Sequence, residues 1–146
     1  MTNVLSHISS QDHYQADACV VWCFDDRFSA LLGEVIALQR LGHVDKVIVA
    51  GGAKGIASPS NFEERDYLID QIKKSILLHK TPRVILMVHA QCGAYGKAFS
   101  HSDDERAFYF DQLKCAKDVI HEALKQEYPH IVVDAYFAHF SGIESL

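Results

Sequence analysis

Four short apolar runs alternate with stretches of helical periodicity along this chain, and that alternation narrows the possible folds most. Ala18–Cys23 (ACVVWC) is apolar at every position, which reads as a strand buried on both faces. Residues 28–41 then carry Leu31, Leu32, Val35, Ile36 and Leu38 at helical spacing, with Gly42 as the stop. Residues 46–50 read as a second strand closed by Gly51 and Gly52, and residues 51–62 as a loop. Residues 63–79 place Leu68, Ile69, Ile72, Ile76 and Leu77 on one face of a helix. After Pro82, residues 83–88 form a third buried run. Residues 104–128 predict a long helix that aligns Leu113, Ala116, Ile120 and Leu124, and residues 131–137 predict a last strand. Residues 1–17 are mostly polar and read as a short N-terminal arm or helix. The order β-α-β-α-β-α-β predicts an α/β fold, a mainly parallel β-sheet flanked by helices, in a single domain over residues 1–146.

A chain of 146 residues can bury roughly two thirds of its unfolded surface, enough for a core without cross-links. The formal charge of −5 argues against nucleic acid or an anionic membrane as the main partner. The start of the chain shows neither a basic segment nor a long apolar one, so no export signal is expected and the predicted location is cytoplasmic. In that reducing setting the four cysteines read first as core residues or metal ligands. Nine histidines make a metal site worth seeking.

Ligands of open parallel sheets bind beyond the carboxyl ends of the strands, near the point where strand order reverses. Two motifs fall at such ends. Cys23-Phe24-Asp25-Asp26-Arg27 closes the first strand, and His89-Ala90-Gln91-Cys92-Gly93 closes the third. If extension persists past Cys23, then Cys23, Asp25 and Arg27 point the same way. His89 and Cys92 are three apart in a tight turn, which lets both reach one ion. Cys23, His89 and Cys92 make a Cys2His set whose natural occupant is Zn2+, with a fourth position open for water as in catalytic sites. Asp25 would accept a hydrogen bond from the zinc-bound hydroxide and orient it. Arg27 would hold Asp25 through a charge-assisted pair and keep it ionised.

Those residues resemble the motifs of the β-class carbonic anhydrases. That family carries C-x-D-x-R and a later H-x-x-C-G, matched here by Cys23, Asp25 and Arg27 and by His89, Cys92 and Gly93. Ala94, and the Ala50-Gly51 pair after the second strand, also stand where the family has such residues. The resemblance covers roughly residues 18–142. It implies a parallel-sheet α/β fold, a zinc ion, a homodimeric unit or higher homo-oligomer, and reversible hydration of carbon dioxide. Three features depart from the family: Asp26 stands where a small residue is usual, Ile48-Val49 where Arg-Asn is frequent, and the N-terminal arm is short. Asp26 is expected to cap the following helix.

Other chemistries stay open at this point. The same site could hydrolyse carbonyl sulfide or carbon disulfide, or the scaffold could be a non-catalytic zinc-binding protein. In some family members the motif Asp itself ligates zinc, giving a closed site, when the motif Arg swings away. Gly51 to Gly55 fits no phosphate-loop pattern, and its N–H groups are expected to line the zinc pocket. Cys19 reads as core and Cys115 as helix packing. A Cys19–Cys23 disulfide is excluded by a strand separation of about 13 Å. His79, His101 and His139 are candidate proton shuttles, and Phe24, Tyr95 and Phe99 candidate pocket walls.

Overall fold

A computed structural model describes residue 2 and residues 4–146. Five strands form one sheet in the order β2-β1-β3-β4-β5: β1 (Ala18–Cys23), β2 (Val44–Val49), β3 (Arg83–His89), β4 (Val132–His139) and β5 (Gly142–Ser145). The first four run parallel, and β5 returns antiparallel to β4. The chain passes from β1 to β2 on one side, then places β3 on the other side of β1. The strand order therefore reverses between β1 and β3.

Alternation along β1 divides the core in two. Cys19, Val21 and Cys23 face a layer formed by α2 (Lys54–Ala57), α3 (Phe62–His79) and α4 (Ser102–Leu124). Ala18, Val20 and Trp22 face α1 (Ser29–Leu38) through Phe28, Leu32 and Val35. All six residues of β1 are buried, as its unbroken apolar run requires. Leu113, Ala116, Ile120 and Leu124 are buried along α4, and Leu68, Ile72 and Ile76 along α3. Each such Leu or Ile side chain contributes roughly 1.5–3 kcal/mol by leaving water. Helix α3 starts at Asn61, whose Oδ1 accepts from the Glu64 N–H at 2.8 Å while Glu64 Oε2 accepts from the Ser60 N–H at 2.5 Å.

Several elements differ from the sequence-based expectation. Residues 4–17 hold no helix. They have no repeating apolar face, and they dock near their end through the Ala16 N–H on the His79 carbonyl and Tyr14 on Asp45. Helix α1 stops at Leu38, before the left-handed Arg40, and leaves Leu38 exposed. Leu77 points to solvent although its spacing put it with the core face of α3. The expected loop after β2 contains the short helix α2, whose last carbonyls accept hydrogen bonds from Arg65. Strand β5 was not expected; Gly142 opens it after a tight turn from His139. Among the described residues no helix is long and apolar enough to cross a membrane.

Candidate metal centre

The two motif turns meet at the reversal between β1 and β3. Cys23 is the last residue of β1 and His89 the last of β3. Cys92 precedes a short 3-10 turn, Gly93–Tyr95. One donor atom from each of Cys23, His89 and Cys92 lies within 4.8 Å of the others, and all three residues are buried.

Glycines permit this approach. Gly52 has φ +56, and a Cβ there would lie 2.5 Å from the Met87 carbonyl oxygen and 3.0 Å from Cys23 N. The neighbouring Gly51 N–H donates to Cys23 Sγ at 3.3 Å, so Gly51 lines the site, whereas the N–H groups of Gly52, Ala53 and Lys54 bond backbone carbonyls instead.

His89 is fully buried. Its Nδ1 lies 2.8 Å from the Ala90 carbonyl oxygen, and a carbonyl can only accept, so Nδ1 carries the proton. That assigns the lone pair to Nε2. Among the described residues this Nε2 has no hydrogen-bond partner, although it is shut off from solvent. A buried bare nitrogen costs free energy unless something occupies it. Its neighbours are two cysteine sulfurs, and an imidazole with its far N–H held by a carbonyl is the usual arrangement of a metal-ligating histidine. The donor set and the orphaned nitrogen fit a metal ion. Trp22 and Phe28 pack against the ring, with centroids 5.8 Å and 4.6 Å away.

The two thiols are unequal. The Cys92 thiol beside it holds the Cys23 thiol well below its ordinary value, with the Gly51 N–H adding to this and burial opposing it. Cys92 is pushed the other way by the same contact and by burial.

Asp25 and Arg27 take a different geometry from simple strand alternation. Extension ends at Cys23. Asp25 caps the 3-10 turn Asp26–Phe28 by accepting the Arg27 N–H at 3.1 Å, so the capping carboxylate is Asp25 rather than Asp26. The turn folds the Arg27 guanidinium back onto Asp25, with Nε 3.0 Å from Oδ1 and Nη2 2.7 Å from Oδ2. This fork holds the Asp25 carboxyl at about 2. Asp25 Oδ2 also lies 3.8 Å from His89 Nε2. Asp26 stays exposed and lines a cavity of about 390 Å3 that Phe24, Ala50 and Ala94 share with Cys23, Asp25 and Cys92.

Of the other residues singled out from sequence, Cys19 is fully buried and burial pushes its thiol up to about 12, consistent with a core role. Cys115 is exposed rather than packed, with its thiol against the Ala57 carbonyl. Phe24 lines the cavity, but Tyr95 and Phe99 pack with Phe108 and Tyr109 instead. His79 binds Asp45 at the opposite end of the sheet. His101 precedes α4 and is exposed, and His139 ends β4 with its Nδ1 beside Ser141. Sequence reasoning missed Glu105 and Tyr109, which reach the His89–Cys92 turn from α4. Their only signal was an i, i+4 pair of polar-tipped residues at the start of a long helix.

No family model matches the chain, and no curated protein matches it. Solved structures do resemble it. β-Carbonic anhydrase isoform I of Trichomonas vaginalis is 14% identical with a TM-score of 0.65, the match covering 96% of this chain and 87% of that one. A tetrameric β-carbonic anhydrase of Sordaria macrospora is 14% identical with a TM-score of 0.55, over 91% and 81% of the two chains. A carbon disulfide hydrolase in its apo form is 14% identical with a TM-score of 0.50, over 86% and 76%. Five strands in a mostly parallel sheet, flanked by helices and matched over most of their length by such structures, give this chain the fold of the β-carbonic anhydrases.

Proposed function

We propose that this protein is a zinc enzyme that reversibly hydrates carbon dioxide to bicarbonate, with Cys23, His89 and Cys92 as the metal ligands. The observation that carries this is the buried Nε2 of His89, without a hydrogen-bond partner among the described residues, in a cluster with the sulfurs of Cys23 and Cys92 whose donor atoms all lie within 4.8 Å of one another. Two thiolates and an imidazole suit zinc among the common divalent ions, and three protein ligands leave a position for water. Zn2+ held there would supply a Lewis acid that makes water more acidic and nucleophilic, less strongly than at a three-histidine site because two thiolates offset the charge of the ion.

The chain's own groups do the rest. Asp25, held ionised by Arg27, has Oδ2 close to the donor cluster and accepts a hydrogen bond from the attacking water. That bond turns the remaining lone pair toward the substrate carbon. Phe24, Ala50 and Ala94 give the cavity an apolar wall, which suits a small uncharged linear molecule. Water adds to carbon dioxide to give bicarbonate and one proton, which leaves to solvent. The exposed carboxylate of Asp26 in the cavity lining repels the anionic product and favours its exit.

A second reading keeps the site and changes the substrate to carbonyl sulfide or carbon disulfide. The likeness to a carbon disulfide hydrolase supports it, as does the apolar cavity, since these molecules share an electrophilic central carbon. We also propose a homo-oligomer, cytoplasmic in location. Strand β2 is a sheet edge that another chain can pair with, and the large apolar side chains of Phe24, Ile48 and Phe62 are exposed. The Sordaria macrospora neighbour is tetrameric.

Stopped-flow carbon dioxide hydration by zinc-loaded protein tests the first reading, with sulfide release from carbonyl sulfide measured on the same sample. Carbon dioxide turnover that exceeds sulfide release supports it. Sulfide release alone favours the second reading, and neither activity at any pH from neutral to alkaline excludes both.

A further inference from the structure

The geometry points to Glu105 and Tyr109 as positioning residues that set the His89–Cys92 turn by binding its backbone, an inference that rests on the metal-centre reading above. The two are one turn apart on α4, so they share a face of that helix. Glu105 Oε1 accepts the Gln91 N–H at 2.7 Å. The Tyr109 hydroxyl oxygen accepts the Cys92 N–H at 3.1 Å. Two consecutive peptide N–H groups, immediately before and at a ligand, are thus held by side chains of one helix.

The turn needs holding. Gln91 has φ +52, a left-handed conformation that a residue with a Cβ seldom adopts. Gln91 lies between the two ligands His89 and Cys92, so relaxation at its φ would swing one away from the other. Its carbonyl is gripped too, by Arg27 Nη2 at 3.0 Å. The Gln91 N–H is therefore tied to α4 and its C=O to the turn after β1.

Tyr109 is well built for the task. It is buried and its ring stacks on Phe137 with centroids 5.2 Å apart. A ring fixed in this way presents the hydroxyl oxygen at one place. Neither side chain is within the donor cluster itself, so each acts through the backbone rather than on the ion.

The test measures zinc affinity by competition with a chromophoric chelator, and the visible spectrum of Co2+ bound in place of zinc. Thermal melts confirm that each variant is folded at the assay temperature. Glu105→Ala is expected to weaken zinc binding roughly 10- to 100-fold, the usual loss for an outer partner of a metal ligand. Glu105→Gln keeps an oxygen acceptor and should restore affinity to within about threefold of the wild type. Tyr109→Phe keeps the ring, removes the acceptor at Cys92 and should weaken binding and alter the Co2+ bands. Affinity and spectrum unchanged in both Glu105→Ala and Tyr109→Phe would overturn the inference, as would Glu105→Gln binding as weakly as Glu105→Ala. If Glu105→Ala does not fold, Tyr109→Phe decides by the same criterion. Wild-type protein that gives no thiolate-to-cobalt band refutes the metal centre itself, and the inference falls with it.

Discussion

Arg27 holds two partners with one nitrogen: its Nη2 lies 2.7 Å from Asp25 Oδ2 and 3.0 Å from the Gln91 carbonyl oxygen. The guanidinium thereby joins the turn after β1 to the turn after β3. Asp25 is aimed by Arg27 rather than by the strand that precedes it. Arg27→Ala is expected to keep one zinc per chain at saturating metal while carbon dioxide hydration falls about 100-fold or more. Arg27→Lys should recover little, because an ammonium cannot make the two-pronged contact. Elemental analysis and stopped-flow assay of the same samples check both statements.

Cys92 carries a different load, because it is one of the three proposed metal ligands. Cys92→Ser should bind zinc so weakly that dialysis against a chelator strips it, a loss beyond the roughly 10- to 100-fold expected of outer partners. Restoring zinc to the stripped wild type should return its activity, whereas the variant should stay inactive. Metal retention before and after dialysis is the readout.

Gly52 supports the site through its lack of a side chain. A Cβ there meets the Met87 carbonyl oxygen at 2.5 Å, and φ +56 is already unfavourable for any L residue. Gly52→Ala is expected to cost about 2 kcal/mol or more of folding stability, read from urea unfolding, and to lower zinc affinity as Cys23 shifts.

Far from the site, Asp45 predicts an acid limb of stability. Burial disfavours its charge, but hydrogen bonds from Ser75 Oγ at 2.6 Å, His79 Nδ1 at 2.8 Å and Tyr14 Oη at 2.7 Å outweigh that and lower its pKa. A carboxyl lowered by folding contributes stability above its unfolded value of about 3.9, and the contribution disappears as pH falls through the folded value. Asp45→Asn should therefore flatten the loss of stability below about pH 4. Urea unfolding of both proteins over that range checks it, and parallel slopes would contradict it.

The strand ends were legible because the physics there is local. A fully apolar run such as Ala18–Cys23 has few alternatives to a central strand, and the ligand motifs begin where such runs stop. Parallel order then placed Cys23 and His89 on one edge. The orientation of Asp25 was not legible, since it depends on a 3-10 turn that interrupts alternation. Strand β5 is four residues long and gains its place only by pairing with β4. Leu77 followed helical spacing but faces solvent, because the sheet covers only part of α3. Glu105 and Tyr109 depend on how α4 docks across the sheet, a tertiary relation that no local pattern encodes.

The central claim is that Cys23, His89 and Cys92 share one zinc ion. X-ray absorption at the zinc edge of the purified, zinc-loaded protein tests it most directly. The account predicts two sulfur neighbours at about 2.3 Å and one imidazole nitrogen at about 2.0–2.1 Å, with one lighter atom completing the shell. A shell of oxygen and nitrogen alone, or the same shell in Cys92→Ser, would contradict it.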